Sequence, residues 1–143
     1  MAGALVPFVF VIDGAGNQIR ETWTGTVTAD ELRESCRQEW ADPAYRRGMD
    51  MLSDFSAATL DITHDELRRF AQFIGQQEAV RRHAIVVGRQ VGYGVARMFG
   101  SLSEVSSPYW NSLRVFNCLD EAVRWLAAGP GDPDGETQHD PRR

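Results

Sequence analysis

The sequence predicts an α/β domain: a mixed β-sheet of about five strands, an N-terminal hairpin followed by alternating helices and strands, with about four helices. Three observations carry this reading. An apolar hairpin runs from Phe8 to Val27. Two T-x-x-E capping boxes each precede a stretch of helical apolar period. Short continuous apolar runs, Ala84–Val87 and Leu113–Phe116, recur between the helices, as expected of strands covered on both faces.

The elements follow in order. Phe8–Asp13 reads as a strand, Gly14–Asn17 as a turn, and Ile19–Val27 as the returning strand, Asp13-Gly14 supplying the turn chemistry. Thr28 and Glu31 form the first capping box and open a helix from about Ala29 to Trp40, with Leu32, Cys36 and Trp40 as its buried stripe. Asp42-Pro43 ends it, because the residue before proline avoids the α region. Met49–Asp54 is the third strand, and Phe55–Ile62, which has neither period, reads as a loop. Thr63 and Glu66 open the second helix, whose core face is Leu67, Phe70, Ala71 and Ile74. His83 stands at the start of the strand Ala84–Val87. Val95, Met98, Phe99 and Leu102 repeat the helical spacing after Gly92-Tyr93-Gly94. Leu113–Phe116 is the last strand, and Leu119, Ala122, Val123 and Leu126 mark the closing helix. Residues 1–128 therefore form one domain. From Gly129 to Arg143 the composition turns to Gly, Pro and charge, which predicts a disordered tail.

Bulk properties exclude several function classes. The chain has 143 residues and a net charge of −5. That balance argues against nucleic-acid binding, which relies on basic patches that displace counterions. All 15 basic residues are arginine. Without lysine there is no Schiff-base chemistry and no phosphate-loop lysine. Cys36 and Cys118 read as free, buried thiols in a reducing compartment, and no Cys/His spacing suggests zinc. Ala4–Ile12 is too short to span a bilayer and has no basic leader, so a cytoplasmic location is expected.

In sheets of this kind ligands gather beyond the carboxyl ends of parallel strands, here the segments Asp54–Thr63, Gly88–Gly94 and Asn117–Asp120. The first of these segments contains Ser56, Thr59, Asp61 and Thr63, and its hydroxyls lie ahead of a helix N-terminus, where an anion such as phosphate is favoured; the same residue types also serve as turns and caps. Tyr93 and Arg97 flank a Gly-rich turn that lacks the third glycine of a dinucleotide fingerprint, and Arg97 suits either an anionic headgroup or a structural ion pair. Tyr109 and Trp110, an aromatic pair in a polar loop, suit an interface, including one between two copies, or a fold-back onto the core. His64 and His83 belong to no metal-spaced cluster, and no G-x-S-x-G marks a nucleophile elbow. A triad of Ser56, His64 and Asp54 would be too local in sequence, so no catalytic residue, metal or cofactor is assigned.

The run Met49–Asp54, the capped helix Thr63–Ile74, and Arg82-His83-Ala84-Ile85-Val86-Val87 together resemble one family. Tyr93-Gly94-Val95-Ala96-Arg97-Met98 and Asp120-Glu121-Ala122-Val123-Arg124-Trp125-Leu126 extend the match. It is the SpoIIAA-like group of small bacterial proteins, within the wider STAS (sulfate transporter and anti-sigma-factor antagonist) fold. The resemblance implies a mixed sheet backed by helices and a non-enzymatic role in binding a regulatory protein or a small ligand. Antagonists of that fold carry a phosphorylatable serine in a D-S-S-G stretch after the third strand. Here the place reads Asp54-Phe55-Ser56-Ala57, making Ser56 the nearest hydroxyl, with the paired serine and the glycine absent. A charge on Ser56 is then expected to act at the following helix N-terminus. Related folds of the SEC14 type carry lipids, which supports an alternative, a carrier or sensor of a small apolar or anionic molecule.

Overall fold

The computed structural model describes residues 8–75, 80–88 and 113–128. Its elements are β1 (Phe8–Asp13), β2 (Gln18–Val27), α1 (Ala29–Ala41), β3 (Met49–Leu60), α2 (His64–Gly75), β4 (Val80–Val87), β5 (Leu113–Phe116) and α3 (Leu119–Ala128). The strands form one sheet in the order β1-β2-β3-β4-β5. Among the described strands only the β1–β2 pair is antiparallel and the other pairs are parallel, so the sheet is mixed as predicted. The predicted helix around Val95–Leu102 and the tail from Gly129 lie outside the described residues.

The hairpin turn is built as its sequence requires. Asp13 Oδ1 accepts from Gly16 N–H at 3.0 Å, and Asn17 adopts a left-handed φ of 54°, which asparagine tolerates. Asn17 also donates from Nδ2 to the Gly48 carbonyl at 3.2 Å, seating the turn against the start of β3. Gly48 has φ +84°, a conformation that a Cβ would strain.

Strand alternation sorts the sheet into two faces. Phe8, Trp23, Phe55, Ile85 and Val87 pack with Leu32 of α1 and Phe70 of α2, Cys36 and Ile74 adjoin them through Phe70, and Ile19 and Met51 cluster on the same face with Met49 and Tyr45. Four rings form a ladder across three strands on this side. The Phe10–Phe8, Phe8–Trp23 and Trp23–Phe55 centroids are 5.9, 4.8 and 5.2 Å apart, each pair stacked. On the opposite face Leu52, Ala84 and Val86 pack under Ala122, Trp125 and Leu126 of α3. Arg82 lies with its guanidinium carbon 3.9 Å above the Trp125 ring.

Both capping boxes form. Thr28 N–H donates to Glu31 Oε1 at 2.8 Å and Glu31 N–H donates to Thr28 Oγ1 at 3.4 Å. Thr63 N–H and Glu66 N–H make the reciprocal pair at 2.9 and 3.1 Å. Hydrogen bonds to its carboxyl from the Thr63 backbone N–H first, and then from the Thr63 side chain, hold Glu66 below the usual carboxylate range.

Three expectations are corrected. β3 does not end at Asp54 but continues to Leu60, because Thr24–Val27 of β2 supply a pairing edge that local period does not reveal. β4 begins at Val80, ahead of its apolar run, and the bidentate Arg81–Asp50 pair (3.0 and 2.8 Å) ties this polar start to β3. Cys118 is only half-buried, whereas Cys36 is buried, and both are free.

Thr28→Ala removes the acceptor for Glu31 N–H and should cost about 1 kcal/mol of stability. Urea denaturation at constant pH reads this as a lower midpoint with an unchanged slope.

Candidate functional site

Ser56, Thr59 and Asp61 lie on or just beyond the second half of β3, and all three are exposed. The segment predicted as a loop is a strand interrupted by a bulge. Between the pairs Thr22↔Asp54 and Thr24↔Ala57, β3 carries one residue more than β2. Asp54 closes this bulge. Its Oδ1 accepts from Ser56 N–H at 2.9 Å and from Ser56 Oγ–H at 2.6 Å. The Ser56 hydroxyl proton therefore goes directly to Asp54, which is not the Ser–His relay of a triad.

The bulge has two structural consequences. It keeps Phe55 buried in the ring ladder while turning Ser56 outward. It also resets the alternation, so that Ala58 and Leu60 pack toward the helices whereas Ala57 and Thr59 share the opposite face with Thr24 and Thr26. α3 covers that face only over β3, β4 and β5. Over β1, β2 and the end of β3 the described residues leave it open: Val9 (68% exposed) and Val11 (61%) stand beside Arg20, Thr22, Thr24 and Thr26. The threonines were not singled out from sequence, although T-W-T-G-T is an alternation that could have marked them. Ser56 is also separated from the α2 N-cap by the rest of β3. A charge on it acts beside Asp54 and not at a helix N-terminus, which corrects the electrostatic expectation.

A second polar group lies inside the core. Glu21 and Ser53 are register partners across β2 and β3. Glu21 Oε1 accepts from Trp23 Nε1–H at 3.0 Å and from Ser53 Oγ–H at 2.6 Å. Ser53 Oγ also lies 2.7 Å from His83 Nε2. With its one proton directed to Glu21, the hydroxyl accepts from His83, which is thereby the Nε2–H tautomer. Burial, only partly opposed by the Glu21 charge, pushes the His83 pKa down to about 4. Glu39 of α1 completes the group. It is 1% exposed, and neither of its oxygens meets a donor. Burial first, then the charge and hydrogen bond of Glu21, raise its pKa to about 11, so Glu39 is a neutral acid at ordinary pH. The neighbouring Cys36 thiol is raised by burial and by the same two carboxyl groups.

Serine, histidine and carboxylate thus meet here, but in the wrong order for nucleophilic catalysis. The serine bridges acid and base, its proton points at the acid, and Ser53 is 1% exposed. Sequence reading assigned none of Glu21, Glu39 or Ser53. The available signal was a glutamate in the inward register of β2 and another on the buried stripe of α1.

Tyr93, Arg97, Tyr109 and Trp110 lie outside the described residues. No group of three or more His, Cys, Asp or Glu among the described residues is arranged to hold a metal. No helix of the described residues is long and apolar enough to cross a membrane.

The His83 shift has a defined sign. The folded protein holds His83 neutral, so its contribution is complete above about pH 6.5 and is lost as pH falls toward 4. His83→Gln keeps a donor for Ser53 without the titration. Its stability relative to the unsubstituted protein should rise by up to about 1 kcal/mol per pH unit between pH 6.5 and 4. Denaturant titrations at several pH values measure this, and a pH-independent difference would contradict it.

No family model matches the sequence, and no curated protein matches it. A solved structure does. The uncharacterized protein of the DUF3478 family from Shewanella loihica PV-4, described as having a SpoIIAA-like fold, superposes with a TM-score of 0.54 at 15% identity. The match covers 88% of this chain and 98% of that one. At this identity the likeness concerns the fold: the hairpin, the parallel strands and the two helical layers together are a SpoIIAA-like fold.

Proposed function

We propose that this protein is a non-enzymatic regulatory module that binds a protein partner through the open strip formed by Ser56, Thr59 and Asp61 of the β3 end and the adjoining threonines of β2. The single observation that carries this reading is the division of polar groups between surface and core. The groups with nucleophile, base and acid chemistry, Ser53, His83 and Glu21, are buried and engaged with one another. The exposed hydroxyls instead form a flat surface with Val9 and Val11 at its margin, a mixture suited to partner contact. The SpoIIAA-like fold of the Shewanella loihica protein supports a regulatory module of this general kind.

The bulge gives the strip its sensitivity to charge. Asp54 already presents its carboxylate to Ser56 at 2.6 Å, so a negative group on Ser56 loses that bond and meets a like charge. Ser56→Ala loses the bond without the repulsion.

Cross-linked capture from the source organism tests the surface. The protein and its Ser56→Ala variant should retain a common partner, and Ser56→Asp should retain at least about tenfold less, equivalent to about 1.4 kcal/mol. Thr59→Arg, on the same strip, should also reduce capture. Equal retention by all four proteins would overturn this assignment.

A further inference from the structure

We propose that the C-terminal half of α1 is latched to the sheet by one proton shared between the Glu39 and Glu21 carboxyl groups, and that losing this proton releases that half of the helix. The latch is independent of the partner surface, which lies on the other face of the sheet.

Geometry assigns the roles. Glu21 Oε1 already accepts from Trp23 and Ser53, so Glu21 is the acceptor of the pair. Glu39 is buried, with no donor for either oxygen. The two carboxyl groups therefore attract each other only while Glu39 holds a proton. Without it, two carboxylates stand in the core, where both glutamates and the neighbouring Trp23 and Cys36 are buried and charge is poorly solvated. Relief requires exposing one of them. Glu21 is fixed in the middle of β2, paired on both sides by β1 and β3. Glu39 lies in the last turn of α1, which ends at Ala41, so opening that turn hydrates the charge with the sheet intact.

Other titratable groups face this pair from each packed element among the described residues. They are Cys36 on the same helix, Tyr45 after it, and His83 on β4 through Ser53; Arg37 and Arg47 act on Cys36 and Tyr45 from the periphery. Opening α1 leaves β4 paired, so His83 contributes nothing above pH 6.5. Cys36 and Tyr45, with ordinary values of 9.0 and 10.0, add proton release only near and above pH 9. Between pH 6.5 and 8.5 Glu39 stands alone. Closed, it keeps its proton up to about pH 11; released, it returns to the ordinary value of 4.5. Opening then expels one proton, and its equilibrium constant rises about tenfold per pH unit.

Cys36 provides the readout, because it is buried beside the pair on the same helix. In a Cys118→Ser background, the rate of Cys36 labelling by a maleimide is measured with Glu39 and with Glu39→Gln, an amide that donates to Glu21 without titrating. The ratio of the two rates cancels the pH dependence of the thiol chemistry. It should rise about 100-fold from pH 6.5 to 8.5. A constant ratio overturns the latch. So does labelling with the full denaturant dependence of global unfolding, which would mean that α1 does not open by itself. A third measurement needs no variant at Glu39. In the unsubstituted protein, the carbon-13 resonance of the Glu39 carboxyl should not titrate between pH 3 and 8, and titration in the ordinary carboxyl range would refute the assignment.

Discussion

The register of the central parallel pair, β2 on β3, is the constraint on which the rest of the structure depends. It sets Glu21 opposite Ser53, so that a buried carboxylate has its hydroxyl donor across the strand. One step further along, the same pair brings Trp23 and Phe55 into stacking contact at 5.2 Å. A slip of one residue would turn both sets to the opposite face, away from α1 and α2. The register is thus fixed twice, by apolar packing and by a hydrogen-bond network that only this alignment satisfies. Buried polar groups are costly when unmatched, and the network excludes alternative pairings more strongly than packing does alone.

The bulge in β3 resolves a conflict between the two halves of this pair. Before it, the inward positions of β3 are Met51, Ser53 and Phe55; after it, they are Ala58 and Leu60. The inward residues change parity, which an uninterrupted strand cannot accommodate. Asp54 absorbs the extra residue by taking both the N–H and the hydroxyl of Ser56. Core and surface meet at this point, since Phe55 extends the ring ladder while its neighbour Ser56 faces outward. The interior group acts at the opposite end of the physical scale. It places two carboxyl groups and a histidine out of water, and their proton occupancy becomes part of the packing of α1.

Much of the fold is legible in the sequence because it is specified locally. The capping boxes at Thr28/Glu31 and Thr63/Glu66 place the helix starts through contacts within one turn, and the Asp13–Asn17 chemistry builds its own turn. The SpoIIAA-like resemblance likewise rests on core patterns that the structural match supports. The candidate site is less legible. Ser56, Thr59 and Asp61 are visible as residues, but Phe55–Leu60 shows no strand period because the bulge breaks it. Leu119 satisfies the helical spacing and is nonetheless exposed, since spacing does not say where on a short helix the packing partner begins.

By itself, the sequence determined the fold class, the order of the described elements, the helix caps and the hairpin turn, the caps and the turn depending on residues within a few positions of one another. Only the tertiary structure decided the length of β3, the open strip over β1 and β2, and the meeting of Glu21, Glu39, Ser53 and His83. Those four residues come from β2, α1, β3 and β4. Their protonation follows from mutual distance and loss of water, and neither quantity exists until the strands have paired and α1 has packed.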